Sequence, residues 1–338
     1  WRNFFEDGTV VDLSPDAQIQ KQEFDKLGQN VYGEFIEFMA YAQKLSDETQ
    51  AGYFEKGIDG IWELLKFYGL TRSLHFDIFS TMDQGVRRFV HDPKLIDILN
   101  YFIKYVGASP YDAPALMNLL PAIQYQYGLW YVRGGMYALA QALEKLAIEL
   151  GVTIDVNTEV ERIEHNHHIA KSVILKNGET ISADIVVSNM EVIPAMKSLL
   201  QSTEPEIKKM HRFKPSCSGI VMHLGVDCVY PQLAHHNFFY SKNSHAHFTS
   251  VFKKGDLSED PTIYLVAPCK TDVNQAPSGC EVIKILPHIP CLNPDKPISD
   301  DEYYAMRERV LIKLERMGLT NLRKHIVTEE YWTPKSVF

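Results

Sequence analysis

The stretch from Gly128 to Asn189 constrains this chain more than any other. It opens on an apolar run, Leu129-Trp130-Tyr131-Val132, that reads as a strand and ends at the only Gly-Gly pair, Gly134-Gly135. Leu139, Ala142, Leu143, Leu146 and Leu150 then recur at helical spacing and predict one buried face. Gly151 is placed to end that helix in a left-handed conformation. Short strands are expected at 153–156, 159–164, 172–175 and 183–187, with Asn177-Gly178 as a hairpin turn. Asp184-Ile185-Val186-Val187 lacks polar alternation and predicts a central parallel strand buried on both faces. In open α/β sheets the ligand lies beyond the carboxyl end of such a strand, here Ser188-Asn189. The stretch reads as half of a nucleotide-binding unit.

The other half would carry a Gly-x-Gly-x-x-Gly turn, whose amides and helix N-terminus hold a pyrophosphate. The sequence contains no Gly-x-Gly. It also starts at Trp1 within an apparent hairpin, WRNFF, a turn at Glu6-Asp7-Gly8, then TVVDL. We therefore expect a piece of a longer protein.

With 338 residues the chain can bury a large core and is expected to hold more than one domain. A net charge of -9 and the lack of any basic run exclude a nucleic-acid-binding surface. No apolar stretch approaches the roughly 20 residues that span a bilayer. The five cysteines, 217, 228, 269, 280 and 291, form no Cys-x-x-Cys pair, which suits reduced thiols in a cytoplasmic setting.

Ser14-Pro15 predicts a helix start, with Ser as the cap and Pro at the first helical position. From there to about residue 127 the chain reads as helical, with Phe35, Ile36, Met39 and Ala40 on one stripe. Leu95, Ile96, Leu99, Phe102, Ile103 and Val106 form another. The aromatic residues Tyr53, Phe54, Trp62, Phe67, Tyr68, Phe76, Phe79, Tyr101, Phe102 and Tyr105 serve either as core or as the wall of a site for a long hydrocarbon. The segment 64–72, with Lys66 and Arg72 beside aromatic residues, has the composition of an interfacial helix. Strands are expected at 218–226, 237–241, 262–267 and 281–286, forming a mostly antiparallel sheet with the first hairpin. Ser299 and Glu302 make a capping box for a helix burying Tyr304, Met306, Val310, Leu311, Leu314 and Met317. A last strand is expected at 326–328.

The histidines at 165, 167 and 168 fall in a hairpin turn and read as surface, and no four-ligand zinc spacing exists, so no metal is expected. No catalytic triad or paired carboxylate stands out, which fits chemistry done by a cofactor.

Long segments of the chain are similar to the phytoene desaturase family of FAD-dependent carotenoid desaturases and oxygenases. They are WRNFFEDGTVVDL at 1–13, YFIKYVGASPYDAPALMNLLPAIQ at 101–124, GLWYVRGGMYALAQALEKLA at 128–147 and NMEVIPAMK at 189–197. VMHLGVDCVYPQLAHHNFFYS at 221–241, DPTIYLVAPCKTDVNQAPSGCEVIKILPHIP at 260–290 and LRKHIVTEEYWTP at 322–334 extend the match. The resemblance implies an α+β or α/β fold: part of a Rossmann-like FAD-binding domain at 128–202, within a substrate domain at 1–127 and 203–338. That substrate domain would combine a mostly antiparallel sheet with a helical subdomain. It implies FAD as cofactor, with Val160 at the adenine, Asn189 and Met190 near the cofactor, and Arg133-Gly134-Gly135 passing the flavin ring. It further implies a polyene substrate, with His235 and His236 of the segment LAHHNFF as candidates for the substrate region, oxidation of the terminal methyl of 4,4'-diaponeurosporene towards the aldehyde, and peripheral contact with the cytoplasmic membrane. Desaturation is the alternative on the same scaffold, amine oxidation a more distant one, and a polyene- or lipid-binding module without redox activity the rival from another class. No catalytic residue is assigned. With no Gly-x-Gly turn, this stretch alone is expected neither to bind FAD nor to be active.

Overall fold

The computed structural model describes all residues except 59, 74–75, 167–168, 211–214 and 337–338. The chain forms two compact units, Trp1–Gly135 with Ser216–Phe338, and Met136–Pro215. Its strands are β1 (Arg2–Phe4), β2 (Val10–Asp12), β3 (Val160–Asn166), β4 (Ile169–Leu175), β5 (Thr180–Ser182), β6 (Ser218–Gly219), β7 (Val221–Val226), β8 (His236–Phe239), β9 (Ile263–Val266), β10 (Glu281–Ile289) and β11 (Ile326–Trp332).

The larger unit is built on one sheet of order β11-β7-β10-β9-β8-β1-β2, with β6 beside β10. Every pairing is antiparallel except β1 on β8. The first hairpin forms as expected, with Gly8 at φ 84° and Arg2 forking onto both carboxylate oxygens of Asp12 at 2.9 and 2.7 Å. Side chains alternate across the sheet, so neighbours serve different cores. Phe238 and Tyr240 face the helices of residues 17–127, whereas Phe239, Ile263 and Leu265 face the helix Asp300–Arg316.

The helical layer comprises α1 (Ala17–Asp25), α2 (Val31–Thr49), α3 (Ile61–Ser73), α4 (Met82–Val86), α5 (Pro93–Asn100) and α6 (Leu119–Tyr127). Its first cap differs from expectation. Asp16, not Ser14, caps α1, accepting from the amides of Gln18 and Ile19, while Ser14 Oγ accepts from the Asp16 amide. On α2 the buried stripe runs through Val31, Phe35, Phe38, Ala42 and Leu45, leaving Ile36 exposed. On Asp300–Arg316 the capping box of Ser299 and Glu302 is present, and Tyr303 rather than Tyr304 is buried. The cap lies two residues further on and each buried face shifts by one, along correctly placed elements. Helical spacing leaves such neighbours near the edge of a face, where tertiary packing decides.

The smaller unit carries the antiparallel meander β3-β4-β5, with Gly178 at φ 87° in the expected hairpin. It also carries the helix α7 (Met136–Glu149), which Gly151 ends at φ 84°. Here two expectations fail. The stripe of Leu139, Leu143, Leu146 and Leu150 is exposed, and α7 has no buried residue. The run 183–187 is not a strand, and Ile185 and Val187 are 81% and 89% exposed. A parallel strand buried on both faces requires neighbours on both edges. Among the described residues of this unit, none pairs with this run beyond the bond from the Ala183 amide to the Lys171 carbonyl. Residues 129–132 and 153–156 are likewise not strands.

Candidate active site and its apolar approach

Two cavities of the larger unit lie at opposite ends of α6. The first, about 350 Å³, is almost wholly apolar, with Tyr53, Phe54, Tyr68, Phe76, Leu116 and Leu120 in its wall. It draws on the aromatic population that the sequence left open between core and hydrocarbon wall. Tyr101 and Phe102 turn out to be core, Tyr53 and Phe54 line the cavity and are exposed, and Trp62 and Phe79 are 80% and 84% exposed. The wall has one tight contact. A Cβ at Gly52 would lie 2.0 Å from the Tyr68 hydroxyl, which donates to the Glu48 carbonyl at 2.6 Å. The segment 64–72 falls on α3, bent at Gly69 (φ 74°); its side chains at 64 and 70–72 lie outside the described residues.

The second cavity, about 390 Å³, is walled by Trp1, Leu13, Gln124, Tyr125, Leu129, His235 and His236. It contains the two histidines expected in the substrate region. They precede and open β8, whose pairing with β1 and β9 holds them beside Trp1. His235 Nδ1 lies 2.7 Å from Thr271 Oγ1, and His236 Nδ1 lies 2.8 Å from Tyr264 Oη. Burial, then the neighbouring His235, pushes His236 down to about 3, so its ring is neutral near pH 7. The neutral ring and the Tyr264 hydroxyl share one hydrogen bond, which either tautomer can make because a phenol both donates and accepts. His235 is lowered too, by burial.

The Arg133-Gly134-Gly135 turn is brought to this place. The Tyr131 ring meets His235 edge-on at 5.3 Å, and Asp272 accepts from Tyr131 Oη at 3.3 Å and from the Gly134 amide at 3.2 Å. Gly134 and Gly135 take φ of 85° and 92°, and a Cβ on Gly135 would meet only Gln275 Oε1, at 4.0 Å. The turn is thus open backbone, a surface on which a flat ring system can rest. It fits a flavin.

Val160, Asn189 and Met190 belong to the smaller unit. Val160 opens β3, half-buried, at a register shift against β4, while Asn189 and Met190 are exposed on the loop after 188. His165 sits on β3, and the expectation for His167 and His168 lies outside the described residues. Asp227, Cys228 and His325 bring ligating atoms within 4.8 Å of one another, with Asp227 and His325 already paired at 2.8 Å.

Sequence reasoning missed Trp1 and Tyr264 as parts of this site, and missed Lys104, whose Nζ packs on the Trp1 ring. Lys104 carried one signal, a lone cation inside the run Tyr101-Phe102-Ile103-Lys104-Tyr105-Val106.

Residues 2–238 match the family described as flavin containing amine oxidoreductase. The chain is 67% identical over its whole length to a 4,4'-diapolycopene oxygenase of a Methylomonas species, of which it covers 68%. It is 45% identical over its whole length to a 4,4'-diaponeurosporene oxygenase of Staphylococcus aureus, again covering 68% of that protein. Among solved structures, a redesigned putrescine oxidase superposes with a TM-score of 0.56 at 14% identity, over 98% of this chain and 66% of that one. That likeness establishes the fold. Together the matches show that this chain belongs to the flavin containing amine oxidoreductases.

Proposed function

We propose that this protein is an FAD-dependent carotenoid oxidoreductase that oxidises the terminal methyl of a long polyene, such as 4,4'-diaponeurosporene, towards the aldehyde. The carrying observation is the pair of cavities at the two ends of α6. Nine helical residues span about 13 Å. A rigid hydrocarbon lying along α6 would fill the apolar cavity and bring its end to His235 and His236. The relatives named as carotenoid oxygenases support the same substrate class.

FAD, when bound, would supply the redox centre, with dioxygen as the source of the aldehyde oxygen and water as the other product. The chain's own residues do the rest. Gly134 and Gly135 would offer bare backbone to the flavin ring. His236, neutral and held by Tyr264, presents a hydrogen-bonding ring without bringing a charge beside a polyene. Tyr53, Phe54 and Phe76 exclude water along the approach.

The same surface supports membrane contact as part of this reading. Trp62 and Phe79 stand exposed, as do Tyr53 and Phe54 at the apolar cavity, where a lipid-dissolved substrate would enter. No helix among the described residues is long and apolar enough to cross a membrane. We place the protein on the cytoplasmic face, in keeping with its five free cysteines.

Expression of the complete gene in cells that accumulate 4,4'-diaponeurosporene tests the reading, with mass and absorption of the new pigment as readout. Oxygen gained at a chain end supports it. Loss of hydrogen alone moves the assignment to desaturation, and an unchanged pigment from a flavin-loaded protein overturns the substrate.

A further inference from the structure

Among the described residues, Lys104 is the only lysine whose Nζ is buried without a hydrogen-bond partner. Nζ lies 3.3 Å from the centre of the Trp1 ring, 4.2 Å from that of Tyr105 and 4.8 Å from that of Phe238. Burial holds its pKa well below the ordinary lysine value. A buried amine with no partner forfeits about 1–3 kcal/mol, so its retention in a native structure calls for a reason.

The surrounding rings point to one. Trp1 is itself a wall of the histidine cavity. Tyr105 donates through Oη to Oε1 of Gln124, another wall residue, at 2.8 Å. Phe238 stacks at 5.0 Å on Tyr264, the partner of His236. Lys104 therefore stands directly behind the end of the cavity where a polyene would present its terminal carbon. A methyl end offers this amine nothing. A hydroxyl or carbonyl end supplies the missing acceptor.

We propose that Lys104 is a polar subsite for the oxygenated end of a polyene, its Nζ–H donating to a hydroxyl or carbonyl oxygen that reaches past the Trp1 ring. The inference rests on the polyene reading above and deepens it. A site with an otherwise unpaired polar group discriminates against the analogue that cannot pair with it. An end already carrying oxygen would be retained for the next oxidation, so that the alcohol is not released before the aldehyde forms.

The test compares two probes in detergent micelles, all-trans-retinol and the hydrocarbon bearing a methyl in place of its hydroxymethyl group. Binding is read from tryptophan fluorescence, since Trp1 sits on the amine. The wild-type protein should bind the alcohol about tenfold more tightly than the hydrocarbon, the scale of one rescued buried hydrogen bond. In Lys104→Met the two affinities should converge, with that for the hydrocarbon unchanged, a pattern that general damage to the fold would not give. Equal affinities in the wild type overturn the subsite whether or not the variant folds, and so does a preference that survives in Lys104→Met. Either result leaves the polyene reading standing. Failure of both probes to bind the wild type removes both.

Discussion

Lys313 Nζ lies 2.6 Å from Asp260 Oδ1 and also donates to the carbonyls of Tyr240 and Pro261, at 2.8 and 2.9 Å. Its side chain is 3% exposed. One ammonium thus ties the helix Asp300–Arg316 to the end of β8 and the start of β9, the strands that carry His236 and Tyr264. Lys313→Met leaves these acceptors unpaired and should cost about 3 kcal/mol of stability, measured by urea unfolding. An unchanged midpoint would show that water replaces the ammonium.

Asp97, largely buried on α5, has its carboxyl pushed up to about 6 by burial. The folded state therefore takes up this proton before the unfolded state, whose carboxyl stays near the ordinary value. Its contribution is favourable below about pH 4 and is lost as pH rises through 6. Asp97→Asn should stabilise the protein at pH 7 by about 2 kcal/mol, with the gain vanishing by pH 4. Thermal melting at the two pH values reads the difference.

His236 has the opposite sign. Its folded value of about 3 lies below the ordinary imidazole value, so its contribution is complete above pH 6.5 and declines as pH falls towards 3. Between pH 6.5 and 5 this one ring should remove about 2 kcal/mol. His236→Gln should lose correspondingly less stability over that interval, and equal losses in wild type and variant would disprove the assignment. His247 and His288, pushed down to about 3 and 4, add to the acid sensitivity of both.

Filling the apolar cavity should block a long substrate without unfolding the chain. Leu120→Trp, on the cavity side of α6, is expected to lower polyene conversion by the complete enzyme at least about tenfold, while stability changes by less than about 1.5 kcal/mol. Retained conversion would place the substrate elsewhere.

The capping box gives a local check. Ser299→Ala removes the acceptor for the Glu302 amide at 3.2 Å and should cost about 1 kcal/mol.

Local signals in the sequence carried the larger unit well. The Asp-Gly hairpin, the Ser299–Glu302 cap and the alternating strands were legible because each rests on contacts a few residues apart or on a face pattern. His235 and His236 could be placed near the substrate by resemblance. Their partners Tyr264 and Thr271 could not, since both pairings join residues far apart in sequence. Lys104 was hidden for a different reason, as nothing local tells a lysine that reaches solvent from one folded beneath a tryptophan. The smaller unit shows the limit of periodicity. Leu139 to Leu150 have the spacing of a buried face, and the spacing says what such a helix can cover but not what covers it.

Gly52 has a further consequence. Any side chain at that position would meet the Tyr68 hydroxyl and drive the ring towards the cavity it lines. A residue that touches no ligand would then act as a set-screw, turned from behind the wall. Methylene by methylene, position 52 would trim the longest hydrocarbon the protein accepts, giving selection or an engineer a length control separate from the chemistry at the far end of α6.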